Sequence, residues 1–152
     1  MRRVPPLALA LLLSACIGEE QTDPSLPPAK ARKEPDHILV DHILIGVRHP
    51  KLAGVTRTPE EARKHAYDLL ERLKGGADWD ALKREHSADP PPGGPYGLAN
   101  HGVSPGPDEH PRSGMVRAFG DVGFELEVGE MGIADHDATV SPYGFHIIKR
   151  VK

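Results

Sequence analysis

Two short apolar runs, one near residue 40 and one at the end of the chain, most constrain the fold. Residues 40–47 read Val-Asp-His-Ile-Leu-Ile-Gly-Val, and residues 145–149 read Phe-His-Ile-Ile-Lys. Both runs are rich in β-branched residues and short enough to be strands. Because successive strand residues point to opposite faces of a sheet, His42 shares a face with Leu44, and the same alternation orients His146. If the two strands are neighbours, two imidazoles can meet on one face of one sheet.

The composition fits one globular domain with extensions, since the chain has 152 residues, of which 38% are hydrophobic and 27% are charged. The formal net charge is −3, and no basic block is long enough to suggest nucleic acid as a partner. The single cysteine, Cys16, excludes an internal disulfide. The nine histidines include no pair with metal-ligand spacing, so we expect neither a metal nor another cofactor.

The first residues have the pattern of an export signal. Arg2 and Arg3 precede an apolar run, residues 7–13, that is too short to span a bilayer. The run ends in Leu-Ser-Ala-Cys, which resembles a bacterial lipobox. The resemblance implies that residues 1–15 are a lipoprotein signal peptide and that Cys16 carries the lipid, which would anchor the protein to a membrane of the bacterial envelope, facing the periplasm or the exterior. The alternative is an ordinary secretory signal with a coincidental cysteine.

Residues 16–35 contain Pro24, Pro27 and Pro28 among polar residues and have no apolar periodicity. This composition predicts a flexible, partly extended tether. The folded domain is therefore expected to occupy residues 36–152.

Two helices are expected after the first strand. Thr58-Pro59-Glu60-Glu61 is a capping box with proline at the first helical position, and Gly75-Gly76 would end that helix. Asp78 can cap a second, shorter helix that ends near Ser87. The first helix has one apolar stripe at helical spacing, formed by Ala62, Ala66, Leu69, Leu70 and Leu73.

The order of motifs along residues 36–152 resembles the parvulin family of peptidyl-prolyl isomerases. The motifs are His-Ile-Leu-Ile, Thr-Arg-Thr-x-Glu-Glu-Ala, Gly-x-Asp-Trp, Ser-Ala-Asp-Pro, Gly-Gly, Gly-Met-Val-x-x-Phe, Phe-x-Leu-x-Val-Gly-Glu-Met and Tyr-Gly-Phe-His-Ile-Ile. Each is short, and their conjunction in this order carries the resemblance. It implies an α+β fold with a four-stranded antiparallel sheet, the first and last strands in the middle, flanked by about four helices.

The resemblance also implies the site. The paired histidines of the family match His42 and His146. Asp89 stands where parvulins have a cysteine or an aspartate, and Ser141 stands where a hydroxyl residue often forms a hydrogen bond with the histidine pair. The substrate-binding residues that we assign to the proline pocket are Met115, Phe119, Phe124 and Tyr96.

His37 is a rival for the first histidine, because His37-Ile-Leu-Val also resembles the family motif. His37 and His42 are five positions apart, so they face opposite sides of an unbroken strand and only one can reach the site. The length of the loop before the first helix decides between them, and we favour His42.

The chain departs from the family between Asp89 and Met115. The family's Gly-Gly-Asp-Leu-Gly is here Gly-Gly-Pro-Tyr-Gly at residues 93–97, and residues 98–114 are a long loop insertion next to the expected pocket. Arg48, Lys51 and Arg57, in the loop after the first strand, could favour an acidic or phosphorylated residue before proline, although a solvated loop is the simpler interpretation.

Two functions follow from the resemblance. The first is a peptidyl-prolyl cis-trans isomerase that acts on Xaa-Pro bonds of exported or envelope proteins and assists their folding. Its partners would be unfolded or extended proline-containing polypeptides and, through the lipid, a membrane. The alternative is a catalytically weak chaperone or peptide-binding module with the same fold. The altered segment at residues 93–114 is the feature that separates the two.

Overall fold

In the computed structural model, which describes residues 33–91 and 93–152, five strands form one mixed sheet. Their order across the sheet is β3-β2-β1-β5-β4, and every neighbouring pair is antiparallel except β2 and β3, which are parallel. The strands are β1 (His37–Gly46), β2 (Tyr96–Ala99), β3 (Glu109–Pro111), β4 (Met131–Ala134) and β5 (Gly144–Arg150). The helices are α1 (Pro59–Lys74), α2 (Trp79–His86) and α3 (Arg117–Glu125), with a 3₁₀ turn at Arg112–Gly114.

The expectation of a four-stranded antiparallel sheet is wrong in two respects, because the described residues form a fifth strand and one pair of strands is parallel. They contain three α-helices and one 3₁₀ helix, where about four helices were expected. The extra strand, β3, lies inside the segment predicted to be a loop insertion, and it runs parallel to β2 because residues 100–108 carry the chain back before it pairs. The expectation that the first and last strands are inner neighbours is confirmed, since β1 pairs with β5 along residues 40–46.

The predicted signal peptide, Cys16 and most of the tether lie outside the described residues. The compact unit spans Lys33–Lys152. Its first residues are already fixed, because Asn100 donates hydrogen bonds to the Glu34 carboxylate and to the Pro35 carbonyl. Within the described part of the chain, none of the helices combines the length and the hydrophobicity needed to cross a bilayer.

Helices α1 and α2 begin and end as their sequences predict. The Thr58 hydroxyl accepts from the Glu61 amide at 3.2 Å while the Glu61 carboxylate accepts from the Thr58 amide at 2.9 Å, which completes the capping box. The Asp78 carboxylate caps α2 by accepting from the Ala81 amide. The predicted apolar stripe of α1 is buried, as are Trp79 and Leu82 of α2.

The two faces of the sheet carry separate apolar layers, as strand alternation requires. Helices α1 and α2 cover the face that presents Ile43, Ile45 and Ile147. Helix α3 covers the opposite face, which presents Val40 and Ile148. The even-numbered residues of β1 and β5 therefore point toward α3.

A gap in the sheet lies beside the middle of β1. Strand β2 pairs with β1 only from His37 to Val40, so beyond Val40 no strand in the described part of the chain pairs with this edge of β1. The segment after α2 takes its place: the Ala88 amide donates to the Leu44 carbonyl at 2.7 Å, and the Leu44 amide donates to the Ser87 hydroxyl. This substitution brings the residues that follow α2 to the edge of β1, next to His42.

Candidate active site

The two predicted histidines meet on the face of the sheet that α3 covers. In the register of β1 and β5, His42 lies opposite Ile148 and His146 lies opposite Leu44, so the imidazoles are diagonal neighbours. Their ring centroids are 5.4 Å apart. Both side chains are almost completely buried, at 4% and 5% exposure. The prediction that strand alternation brings these imidazoles together is confirmed.

Both imidazoles are uncharged at neutral pH. Burial, with a smaller effect from the nearby charge of Lys83 and against the opposing effect of Asp41, lowers the pKa of His42 to about 4. Burial, with a smaller effect from His42, lowers the pKa of His146 to about 3. Among the described residues, His42 Nδ1 and both ring nitrogens of His146 have no hydrogen-bond partner. The pair therefore offers neutral donors and acceptors that are not already in use.

Asp89 and Tyr96 form the polar edge of this cluster. One carboxylate oxygen of Asp89, Oδ2, lies 3.4 Å from His42 Nε2, and the same oxygen accepts a hydrogen bond from the Tyr96 hydroxyl at 3.0 Å. The Tyr96 ring also stacks on the His42 ring, with centroids 5.6 Å apart. Burial, followed by the negative charge of Asp89, raises the pKa of Tyr96 to about 12. Tyr96 therefore remains a protonated donor to Asp89.

Phe119 closes the cluster from the side of α3. Its ring meets the ring of His42 at 5.1 Å and that of His146 at 5.5 Å, both near edge-to-face. Met115, which is half-buried, packs on the same apolar layer. Phe124 belongs to this layer too but is fully buried, and the Arg112 guanidinium lies 4.6 Å from its ring centroid. Of the four residues assigned to the proline pocket, Tyr96 and Met115 are the more exposed.

Ser141 is fully buried in the β4–β5 loop, but its hydrogen bond is not the one that the resemblance implies. The hydroxyl donates to the Gly144 carbonyl at 2.8 Å, and neither ring nitrogen of His146 has a hydrogen-bond partner in the described part of the chain. The Ser141 backbone also exchanges hydrogen bonds with Asp137. Ser141 thus shapes the loop that leads into β5, and through β5 it fixes the position of His146.

His37 lies away from the cluster. It begins β1 on the opposite face from His42, as the five-residue spacing predicts, and its side chain is largely exposed. Its Nδ1 lies 2.8 Å from a carboxylate oxygen of Glu109 on β3. The structure therefore brings His42, and not His37, next to His146.

Three residues that sequence reasoning missed lie behind His42. The Asp41 carboxylate accepts hydrogen bonds from the backbone amide of His42, from the Trp79 indole at 2.8 Å and from the Lys83 ammonium. In the sequence, Asp41 itself could have indicated this group of residues, because an acidic residue inside a buried apolar strand needs hydrogen-bonding or charged partners.

The basic residues of the loop after β1 do not join the histidine cluster. Arg48 and Arg57 line a separate cavity of about 410 Å³ with His49 and His136, and Lys51 is exposed. The described residues contain no group of three histidine, cysteine, aspartate or glutamate side chains that could hold a metal ion.

Residues 28–152 match the family model of the PPIC-type PPIASE domain. The chain is 28% identical over 142 residues to foldase protein PrsA of Caldanaerobacter subterraneus subsp. tengcongensis, an alignment that covers 91% of this chain and 39% of that protein. It is 34% identical over 103 residues to foldase protein PrsA 4 of Bacillus cereus, which covers 66% of this chain and 31% of that protein. The chain thus spans less than two fifths of the length of these curated relatives. Because the family model covers most of the chain and every residue of the histidine cluster, the chain belongs to the PpiC-type, or parvulin-type, family of peptidyl-prolyl isomerase domains.

Proposed function

We propose that this domain catalyses cis-trans isomerisation of Xaa-Pro bonds by a non-covalent mechanism, and that its clients are unfolded or extended proline-containing polypeptides. The observation that carries the proposal is the pair of neutral, buried imidazoles, enclosed by Phe119, Tyr96 and Asp89, three of whose ring nitrogens have no hydrogen-bond partner among the described residues. Family membership and the foldase relatives support the same activity.

The reaction requires stabilisation of a twisted amide. Partial double-bond character gives the amide a rotational barrier of about 18–20 kcal/mol, and uncatalysed exchange at Xaa-Pro takes tens to hundreds of seconds. In the transition state, resonance is lost and the nitrogen regains its lone pair. A site accelerates exchange when it binds this form better than either planar form.

The apolar part of the cluster would hold the proline ring. Tyr96 and Met115, the more exposed members, would form the mouth of the pocket, and the Phe119 ring would form its floor. Phe119 is only 2% exposed, so the rings must separate when a proline enters. Holding the ring lets the preceding carbonyl rotate while the rest of the substrate stays bound.

The polar part would interact with the rotating carbonyl. Dipoles of His42 and His146 are fixed by their strands in a largely dry environment, where they act more strongly than in water. Asp89 Oδ2 already accepts from Tyr96, which supports a role as hydrogen-bond acceptor that orients neighbouring donors, and not as a nucleophile. No covalent intermediate is needed.

The test is an isomerisation assay on a set of Xaa-Pro peptides, with NMR exchange spectroscopy as a second measurement. We expect acceleration by the wild type and a large loss of kcat/KM in His42→Ala. That variant should also lose stability, because it leaves a cavity among packed rings. Wild-type activity together with wild-type melting in His42→Ala would contradict the assignment of the first histidine.

A catalytically weak peptide-binding module is the second candidate. The specific observation in its favour is the near-complete closure of the cluster, since His42, His146 and Phe119 are each at most 5% exposed. Measurable peptide binding without acceleration of any Xaa-Pro peptide would establish this alternative.

We further propose that residues 1–15 are a lipoprotein signal peptide and that Cys16 anchors the protein in the bacterial envelope through the tether at residues 16–35. The clients would then be exported or envelope proteins. The Leu-Ser-Ala-Cys motif supports this proposal. Mass spectrometry of the mature N-terminus in the native host should find an acylated Cys16, and loss of membrane association in Cys16→Ser would be the functional counterpart. An unmodified mature N-terminus elsewhere would refute it.

A further inference from the structure

The Asp41 carboxylate connects helix α2 to the backbone of the histidine strand. Its Oδ1 accepts from the His42 amide at 2.8 Å and from the Lys83 ammonium, and its Oδ2 accepts from the Trp79 indole at 2.8 Å. The Asp41 and Lys83 side chains are only 13% and 17% exposed. A partly buried charge of this kind is stable only when it is paired and hydrogen-bonded, and both conditions are met here.

The location of this carboxylate explains its importance. Strand β2 leaves β1 after Val40, so the His42 amide points into the gap and has no strand carbonyl to receive it. A buried amide without a partner is destabilising, and Asp41 supplies the missing acceptor. The strand around His42 is therefore held at the gap by a side chain, while its other edge is held by β5.

The same carboxylate limits movement of the neighbouring turn. A side chain at Gly94 would approach Asp41 Oδ1 to 3.3 Å and the Tyr96 ring to 3.2 Å. Asp41 thus lies beside the turn that precedes Tyr96, in addition to its hydrogen bonds with β1 and α2.

Each element packed against His42 presents a titratable or aromatic side chain to it. Asp89, after α2, and the phenol of Tyr96, on β2, face one side of the ring, and the neutral His146, on β5, faces another. Helix α3 contributes the uncharged Phe119. Lys83 and Asp41 are the remaining charged groups, and they act in opposite directions: Lys83 lowers the pKa of His42 and Asp41 raises it.

We propose that Asp41 and Lys83 are positioning residues of the isomerase site. In this role, Asp41 fixes the His42 backbone at the gap in the sheet, and Lys83 fixes Asp41 while disfavouring a positive charge on the imidazole. The proposal rests on the proposed isomerase function for its catalytic consequence, and on the hydrogen bonds of Asp41 for its structural part.

The test follows the His42 ring by NMR from pH 8 down to the onset of acid unfolding, alongside the pH dependence of kcat/KM. Lys83→Met should raise the pKa of His42 by roughly half a unit, as expected for loss of one nearby cation, and should move the acid limb of kcat/KM to higher pH. Asp41→Asn should lower the pKa of His42 and move the acid limb of kcat/KM to lower pH. At the lowest pH where the wild type and this variant are both folded, His42 should be less protonated in the variant. Lys83→Arg should restore wild-type behaviour.

Lys64→Met is the matched control, because it removes the same charge from an exposed ion pair with Asp68 on α1. It should leave the His42 titration unchanged. If Asp41 and Lys83 had only a structural role, their variants would be less stable, but the pKa of His42 would not shift in opposite directions in the two variants. Equal shifts in Lys83→Met and Lys64→Met, or no shift in either, would overturn the proposal.

The titration does not depend on catalysis, so the two proposals can fail separately. A wild-type domain that accelerates no Xaa-Pro peptide would refute the isomerase function, while the opposite shifts would still establish the electrostatic role of the pair. If Lys83→Met does not fold, Lys83→Gln, which keeps a donor for Asp41, gives the same measurement.

Discussion

The buried histidine pair should make this domain unusually sensitive to mild acid. The pKa values of His42 and His146 fall from the ordinary value near 6.5 to about 4 and about 3 in the folded protein. Because both folded values are lowered, the unfolded chain binds more protons, and the free energy of unfolding decreases as the pH falls below 6.5 toward 4. Each histidine contributes a slope of about 1.4 kcal/mol per pH unit in this window.

Between pH 7 and pH 5 the two histidines together should remove about 4 kcal/mol from the free energy of unfolding. That is a large part of the ~5–15 kcal/mol that stabilises a typical domain. Urea unfolding at pH 7, 6 and 5, followed by tryptophan fluorescence, would measure it directly. The effect is separable from carboxylate protonation, since unfolded aspartate and glutamate titrate near pH 4.

A control variant isolates the cause. His42→Gln should roughly halve the slope between pH 6 and pH 5, whereas His101→Gln, at an exposed position, should leave it unchanged. If the free energy of unfolding stays constant from pH 7 to pH 5, the imidazoles bind protons equally in the folded and unfolded chain. The reasoning about their burial would then be wrong.

Three further substitutions test other parts of the site. Tyr96→Phe keeps the stacked ring but removes the hydrogen bond to Asp89, so the free energy of unfolding measured in urea should fall by about 1 kcal/mol and kcat/KM should fall several-fold. Unchanged kinetics would exclude the hydroxyl from the site. Gly144→Ala should destabilise the domain by more than ~3 kcal/mol, because Gly144 has φ +148° and a Cβ there would overlap the Ile45 carbonyl. A melting temperature like that of the wild type would contradict this prediction. His146→Leu removes two buried nitrogens that have no hydrogen-bond partner in residues 33–91 and 93–152, so the free energy of unfolding at pH 7 should stay equal or rise while isomerase activity falls. Clear destabilisation would mean that the nitrogens have partners in solution.

Local periodicity was sufficient to predict the first two helices, and with the family resemblance it predicted the histidine pair. Alternation determines which side chains of one strand share a face, but the resemblance was needed to place the first and last strands side by side and to match His42 with His146. The capping box of α1 works through contacts three residues apart, and such contacts are readable in any sequence window.

Features that depend on distant contacts could not be predicted in the same way. Strand β3 has three residues, ends in Pro111 and shows no alternation, and only pairing with β2 makes it a strand. The partner of Ser141 depends on how the β4–β5 loop turns, which placed the Gly144 carbonyl next to the hydroxyl. The role of Asp41 depends on α2 returning to the gap in the sheet.

The gap beside β1 links the fold to the proposed chemistry. A continuous β2 would pair with the His42 amide and would leave no room for Asp89 at the edge of the sheet. Because β2 departs after Val40, the backbone of β1 is held by Asp41 and by the segment after α2, and the imidazole gains neighbours that a sheet alone could not supply. Three ring nitrogens of His42 and His146 have no hydrogen-bond partner among the described residues, and each costs about 1–3 kcal/mol. An apolar core would avoid that cost, so the arrangement is better explained by the demands of a binding site than by those of stability.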